Sequence, residues 1–278
     1  MRVLIAGCGY VGAELGRQLV LDGHTVWGLR RSSATLPDGI RRIVGDVTRP
    51  ETFEELPGEL DAVVYAVSAD GFDEDSYRRA YVDGPANLVA ALGGAPRFLL
   101  VSSTGVYGQT GGEWVDERSR LEPQGFSGRI LLEAEGQVLA DRGSSVVRLA
   151  GLYGPGRVLL MDRVRAGEAT CTDDPQQYLN LIHRDDAAGL IRHLLMLSDP
   201  PPVLIGADDE PVDRCVILRW IAERIGAPPP RVTAPDPATG PRRRSNKRCS
   251  NRLLRSIDYR LRYPTWRDGY EALLNADA

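Results

Sequence analysis

Lysine is almost missing from this 278-residue chain: Lys247 stands alone among 34 basic residues, and the rest are arginine. The phosphate-gripping G-x-x-x-x-G-K-[ST] loop is therefore excluded. Histidine is nearly as scarce. His24, His183 and His193 are far apart and show no paired metal-ligand spacing, which counts against a metal centre. No Ser–His–Asp order suggests a hydrolase triad. The four cysteines, Cys8, Cys171, Cys215 and Cys249, include no C-x-x-C pair, so free thiols in a reducing cytoplasm are expected rather than a disulfide framework or a zinc site. No apolar run reaches transmembrane length, and the apolar start lacks the basic flank of a signal peptide; a cytoplasmic protein is expected. With 38 acidic and 34 basic residues the net charge is −4, giving no general affinity for nucleic acid or an acidic membrane.

What is present begins at the N-terminus. The apolar run Met1-Arg2-Val3-Leu4-Ile5-Ala6 leads directly into Gly7-Cys8-Gly9-Tyr10-Val11-Gly12, followed by Leu15 and Leu19 at helical spacing. A buried strand that breaks into glycines and opens a helix is how chains hold a dinucleotide pyrophosphate. The first glycine makes the tight turn, the second admits phosphate close to backbone, and the third packs helix on strand. Backbone N–H groups at the helix start then face the anion. Gly7, Gly9, Tyr10, Val11 and Gly12 are the expected phosphate cradle.

About 20 residues further on, a fold selective for NAD offers a carboxylate to the ribose 2′-hydroxyl. Here the second apolar run ends in Arg30-Arg31-Ser32-Ser33, two guanidinium groups and two hydroxyls with no carboxylate among them. That composition suits a 2′-phosphate, so NADP is expected in preference to NAD. Asp46-Val47 after the third run and Ala66-Val67-Ser68 after the fourth are expected to line the adenine and ribose.

Apolar β-rich runs at 3–6, 25–29, 42–44, 62–67, 98–102 and 146–149 alternate with helical patterns at 10–21, 77–92 and 127–140. Continuous apolar strands separated by helices argue for an α/β fold: a Rossmann-type doubly wound parallel sheet, covered on both faces. Beyond Gly151 the pattern loosens into helices at 158–165, 185–197 and 215–225 and strands at 178–182 and 203–205. Residues 227–241, with six prolines, read as an irregular connection. The expected organisation is a dinucleotide-binding domain over 1–152 with 176–207 returning to it, and a smaller substrate lobe from 153–175 and 208–278.

Several blocks in fixed order resemble one family: Gly45-Asp46-Val47, Gly84-Pro85-Ala86-Asn87-Leu88, Val101-Ser102-Ser103-Thr104-Gly105-Val106-Tyr107-Gly108, Arg148-Leu149-Ala150-Gly151-Leu152-Tyr153-Gly154-Pro155-Gly156 and Leu181-Ile182-His183-Arg184-Asp185-Asp186. The chain resembles the extended short-chain dehydrogenases/reductases, also called the NAD-dependent epimerase/dehydratase family. The resemblance implies a Rossmann-type domain, a nicotinamide coenzyme and a smaller C-terminal substrate lobe. Typical members place Ser or Thr after the fifth strand and a Y-x-x-x-K pair on the next helix. The tyrosine exchanges a proton with the substrate oxygen, and the lysine holds the ribose and lowers the tyrosine pKa. Here Arg129 stands where the lysine belongs and Gly125 where the tyrosine belongs. Arg243 precedes Lys247 by four residues, so Y-x-x-x-K occurs nowhere in the chain. The glycine loop departs too, with Ala6 at the first position of the family's G-x-x-G-x-x-G. Both departures resemble an atypical subgroup that loses the tyrosine and retains a tail like Ser245-Asn246-Lys247-Arg248.

The expected catalytic set is Ser103 and Thr104 on the reacting oxygen, Tyr107 as replacement proton carrier, and Arg129 at the ribose. Tyr153 lies in a turn too rich in glycine and proline for a helical pair with Arg157. Glu113, Asp116 and Glu117 read as an exposed acidic loop, Asp173-Asp174 and Asp208-Asp209-Glu210 as solvated turns, and Arg242–Arg248 as a solvated basic loop. Leu131-Leu132 would support a homodimer, whereas Glu133, Glu135 and Arg142 favour a monomer. Two functions follow. One is an NAD(P)-dependent oxidoreductase or epimerase on a small hydroxyl- or carbonyl-bearing metabolite, a sugar nucleotide among them. The other is a non-catalytic NADP(H)-binding sensor. The substrate-side blocks favour the enzyme, and the missing tyrosine favours the sensor.

Overall fold

The computed structural model describes residues 1–276 except 33, 95–96, 142, 173–175 and 234–244. Ser33, Arg142, Asp173-Asp174, Arg242–Arg244 and most of the proline-rich connection thus lie outside the described residues. Seven strands form one sheet: β1 (Arg2–Ala6), β2 (Thr25–Arg30), β3 (Ile40–Val44), β4 (Ala62–Tyr65), β5 (Phe98–Ser103), β6 (Ser145–Leu149) and β7 (Val203–Gly206). Their order across the sheet is β7-β6-β5-β4-β1-β2-β3, and β1 to β6 run parallel. The order reverses beside β1, which places a crevice beyond its C-terminal end.

The strands owe this arrangement to their side chains. Val3, Leu4, Ile5, Val63, Val64 and Leu100 are all fully buried, as strands covered on both faces require. Helix α1 (Tyr10–Leu21) lays Val11, Leu15 and Leu19 onto this core. The expected helix over 77–92 is instead α2 (Glu74–Arg78), a wider π-turn over Arg79–Asp83, and α3 (Gly84–Leu92). Two features open that turn. Pro85 has no N–H to give the preceding turn, and the Tyr65 hydroxyl donates to the Ala80 carbonyl from below. Gly84 is required at this place, because a side chain there would come within 2.2 Å of the Tyr65 oxygen. Helix α4 (Phe126–Leu139) packs on β5 and β6, and α5 (Arg184–Met196) packs on α1.

The chain divides into two compact units. The first comprises Met1–Val106, Phe126–Leu149 and Arg184–Leu204, and the second Tyr107–Gly125, Ala150–His183 and Ile205–Ala278. The Tyr107–Gly125 loop, read from the sequence as part of the first domain, clusters with the second unit. In that unit Met161, Val164, Ile217, Leu218, Ile221, Trp266 and Tyr270 form a core, and Tyr153 stacks on Tyr270 with ring centres 4.7 Å apart. Its strands pair in short ladders, Glu113–Val115 with Lys247–Cys249 and Gly151–Tyr153 with Leu181–His183. The single strand expected over 178–182 is broken at Asn180. Its side chain donates to the Lys247 carbonyl and accepts from the Cys249 N–H.

Several expectations are corrected within this unit. Cys171 and Cys215, 44 residues apart, are joined by a disulfide, leaving Cys8 and Cys249 as buried free thiols. Separation along the chain had masked their proximity. Asp208 is buried, against the expectation of a solvated turn, while the exposed Asp209 pairs with Arg255 and the half-buried Glu210 with Arg267. In the acidic loop Glu113 and Asp116 are exposed as expected, accepting from neighbours within three residues, whereas the half-buried Glu117 accepts from the distant Ile205 N–H. The described part of the basic cluster is also built in. Asn246 bonds the Tyr178 N–H and the Gln176 carbonyl, and Arg248 donates to the Gly112 carbonyl between the rings of Trp114 and Tyr178. Lys247 is 7% exposed. Among the described residues, no helix is long and apolar enough to cross a membrane.

Candidate functional site

The loop after β1 is held at both sides of the strand. Gly7 and Cys8 N–H groups donate to the Leu29 carbonyl at 3.0 and 3.2 Å, and Ala66 N–H donates to Ala6. Gly7 sits at φ +83°, and a side chain there would strike the Ala66 carbonyl at 2.5 Å. One on Gly12 would strike the Gly7 oxygen, also at 2.5 Å. Packing alone therefore demands these two glycines. Gly9 differs: a side chain there would meet nothing closer than the Gly7 oxygen at 4.0 Å. The space it keeps clear lies at the N-terminus of α1, which Gly9 caps without a side chain. That fits close approach of an anion to backbone amides, and so fits the pyrophosphate of a dinucleotide.

Cys8, between these glycines, is a packing residue. Burial pushes its thiol up to about 11, the nearby Arg30 charge opposing in smaller measure. Arg30 directly follows Leu29, whose carbonyl holds the Gly7 and Cys8 N–H groups. Tyr10 lies beneath the Arg184 guanidinium, 5.4 Å from ring centre to carbon. Arg184 in turn bonds Asp185 in the first turn of α5. Val11 is buried.

At the end of β2, the Arg30 carbonyl accepts from Gly45 and Ser32 is exposed. Arg31 is forked onto Asp70 through both terminal nitrogens. The expectation of no carboxylate near these arginines is thus corrected. The folded sheet brings one from the loop after β4, 39 residues away. Asp46 is buried, and burial pushes its carboxyl up. Hydrogen bonds from the Thr48 backbone and hydroxyl, with the charges of Arg31 and Arg49, outweigh this and hold it below the usual range. Val47 is buried, its carbonyl fixed by the Asn87 side chain at 2.9 Å. Ala66 and Val67 are half-buried and Ser68 is exposed.

At the other side of β4, β5 ends in Ser103, whose Oγ accepts from the Gly105 N–H at 3.1 Å. Thr104 is buried in the short turn Thr104–Val106, which packs against α4. Arg129 is exposed on α4, one turn before Glu133, which Arg78 holds with both terminal nitrogens. Ser103, Thr104 and Arg129 belong to the first unit and Tyr107 to the second, where it is fully buried.

Below this edge lies a cluster not foreseen in the sequence. Glu135 of α4, read there as a surface charge, is 2% exposed. Its carboxylate accepts from Arg148 of β6 at 2.7 Å and from the Ser102 hydroxyl of β5 at 2.6 Å. A charged residue at a buried position of α4's pattern was the available signal. His183, also 2% exposed, lies between the rings of Tyr153 and Tyr263.

The comparisons with known proteins agree with this geometry. The family model of the NAD-dependent epimerase/dehydratase family matches residues 3–199. A 3-diazoavenalumate denitrifying reductase from a Streptomyces species is 28% identical, over 97% of this chain and 99% of its own. A solved Methylobacillus flagellatus structure, provisionally assigned as an NAD-dependent epimerase/dehydratase, is 38% identical with a TM-score of 0.80. It covers 99% of this chain and 98% of its own. At 23% identity, MoeE5, solved with UDP-glucuronic acid and NAD, shares the fold with a TM-score of 0.80, over 97% of this chain and 96% of its own.

Proposed function

This chain belongs to the NAD-dependent epimerase/dehydratase family, and from that premise we propose that it is an NADP(H)-dependent oxidoreductase or epimerase acting on a small hydroxyl- or carbonyl-bearing metabolite. Sugar nucleotides are one such class. The observation that carries the reading is Gly9, a glycine that the chain's own packing does not require, at an uncapped helix start. Gly7, Gly9, Tyr10, Val11 and Gly12 hold the pyrophosphate. Arg30, Arg31 and Ser32 take the 2′-phosphate, and Asp46, Val47, Ala66, Val67 and Ser68 line the adenosine. When bound, the nicotinamide gives or takes a hydride.

The chain's own groups do the rest. The Ser103 oxygen already accepts from Gly105, so its proton remains to be donated to a substrate oxygen. Thr104 supports it from the same turn. Arg129 supplies positive charge at the ribose, but a guanidinium does not shuttle protons. Tyr107 is the proton carrier of this reading, and its burial limits contact with bulk water. Without the usual tyrosine, roughly 10²–10⁴-fold of acid–base catalysis rests on that replacement. The domain assignment carries over in the same spirit, the first unit for coenzyme and the second for substrate recognition.

Calorimetric titration with NADPH and NADH, on the parent and on Arg30→Asp, tests the coenzyme. The NADPH/NADH affinity ratio is expected to fall about tenfold or more on removal of a charge-assisted contact. An unchanged ratio removes the NADP reading, and no uptake of either coenzyme removes the enzyme with it. A missing Y-x-x-x-K favours the sensor as second reading. Tight NADPH binding with no reduction of any carbonyl metabolite in a broad panel would select it.

A further inference from the structure

Strand β1 lies between β2 and β4, so the segments that follow β2 and β4 flank the glycine loop from opposite sides. Arg31 follows β2 directly, and Asp70 comes five residues after the end of β4. The two meet across β1 in a bidentate ion pair, both terminal guanidinium nitrogens on the two carboxylate oxygens. Those are the nitrogens a phosphate would need for forked recognition. A second carboxylate, Asp46, also acts on the Arg31 charge.

From this pair we infer that Asp70 sets coenzyme selectivity by competing with the coenzyme 2′-phosphate for Arg31. The inference rests on the NADP(H) reading above and adds to it the residue that limits the preference. The end of β2 lacks a carboxylate in sequence, and the fold supplies one there from another loop, already held by Arg31. The pair is exposed on both sides, 55% and 64%, so exchanging one anion for another at Arg31 is a near-balanced competition. Near balance is what makes a single charge decisive for selectivity. Were Asp70 only a brace presenting Arg31 to the phosphate, its loss would weaken NADPH instead, so the sign of the effect separates the two roles.

The experiment measures dissociation constants for NADPH and NADH on the parent, Asp70→Asn, Arg31→Ala and the double variant. Asp70→Asn is expected to tighten NADPH about three- to tenfold and to leave NADH within about twofold. Arg31→Ala is expected to weaken NADPH, and the double variant to match it, because with no guanidinium there is nothing to release. Asp70→Asn that leaves NADPH unchanged or weaker, while Arg31→Ala still weakens it, overturns the inference and spares the NADP reading. A gain that persists in the double variant also overturns it, since Asp70 would then act without Arg31. If neither Arg31→Ala nor Arg30→Asp alters the NADPH/NADH ratio, the underlying reading fails first.

Discussion

Removing the carboxylate of Glu135 is the sharpest test of how this fold holds its fifth strand. Glu135, Arg148 and Ser102 are 2%, 3% and 5% exposed, and they tie α4, β6 and β5 together. Glu135→Leu leaves the Arg148 guanidinium buried without its carboxylate. Arg148→Met leaves the buried carboxylate without its guanidinium, still accepting from the Ser102 hydroxyl. Each is expected to cost about 3–5 kcal/mol. The double variant removes both charges. It leaves the Ser102 hydroxyl without the Glu135 carboxylate, at about 1–3 kcal/mol, against a gain of about 1–4 kcal/mol from replacing a buried pair by apolar side chains. The double variant should therefore lie near the parent, whereas additivity would put it about 6–10 kcal/mol below. Guanidinium-induced unfolding followed by far-ultraviolet circular dichroism measures all four proteins. At roughly 2–4 °C per kcal/mol, each single variant should also melt about 10 °C early. Single effects that sum to the double effect within about 0.5 kcal/mol would refute a shared buried site.

Two further outcomes are expected. Gly7→Ala forces backbone overlap with Ala66 and should destabilise the chain. Gly9→Ala should fold as the parent does yet lose NADPH affinity at least about tenfold, and thermal melting with and without NADPH separates the two. For Lys247, burial pushes the amine below its ordinary 10.5, with the Cys249 thiol opposing in smaller measure. The unfolded chain then binds this proton more tightly. The penalty is full below the folded pKa and fades as pH rises towards 10.5, so stability climbs with pH across that window. Lys247→Met should raise the melting temperature at neutral pH and flatten that rise; a parallel pair of pH–melting curves would contradict it.

The parts of this molecule legible in its sequence are those whose partners lie close along the chain. The glycine loop, the helix after it and the β–α alternation announce themselves through spacing and periodicity within a few residues. Pairings that depend on strand order do not. Nothing near Arg31 signals Asp70, because only the position of β1 between β2 and β4 brings the two loops together. Cys171 and Cys215 belong to this class, as do Glu135 and Arg148. Lys247 was hidden for another reason. Its arginine neighbours resemble a solvated tract, whereas in the fold it lies in a ladder with Glu113–Val115 and its carbonyl is held by Asn180. The split at Arg79–Asp83 was hinted at by Pro85, but the Tyr65 hydroxyl that shapes it comes from another strand.

Along the polypeptide the two compact units alternate in six stretches, and the chain passes between them five times. No single cut yields either one whole. During synthesis, the first cannot be completed before residue 204 has left the ribosome, by which time more than fifty residues of its companion are already present. Single inserted stretches such as Tyr107–Gly125 can accordingly be exchanged one at a time, whereas grafting the whole second unit from a relative would require several simultaneous splices.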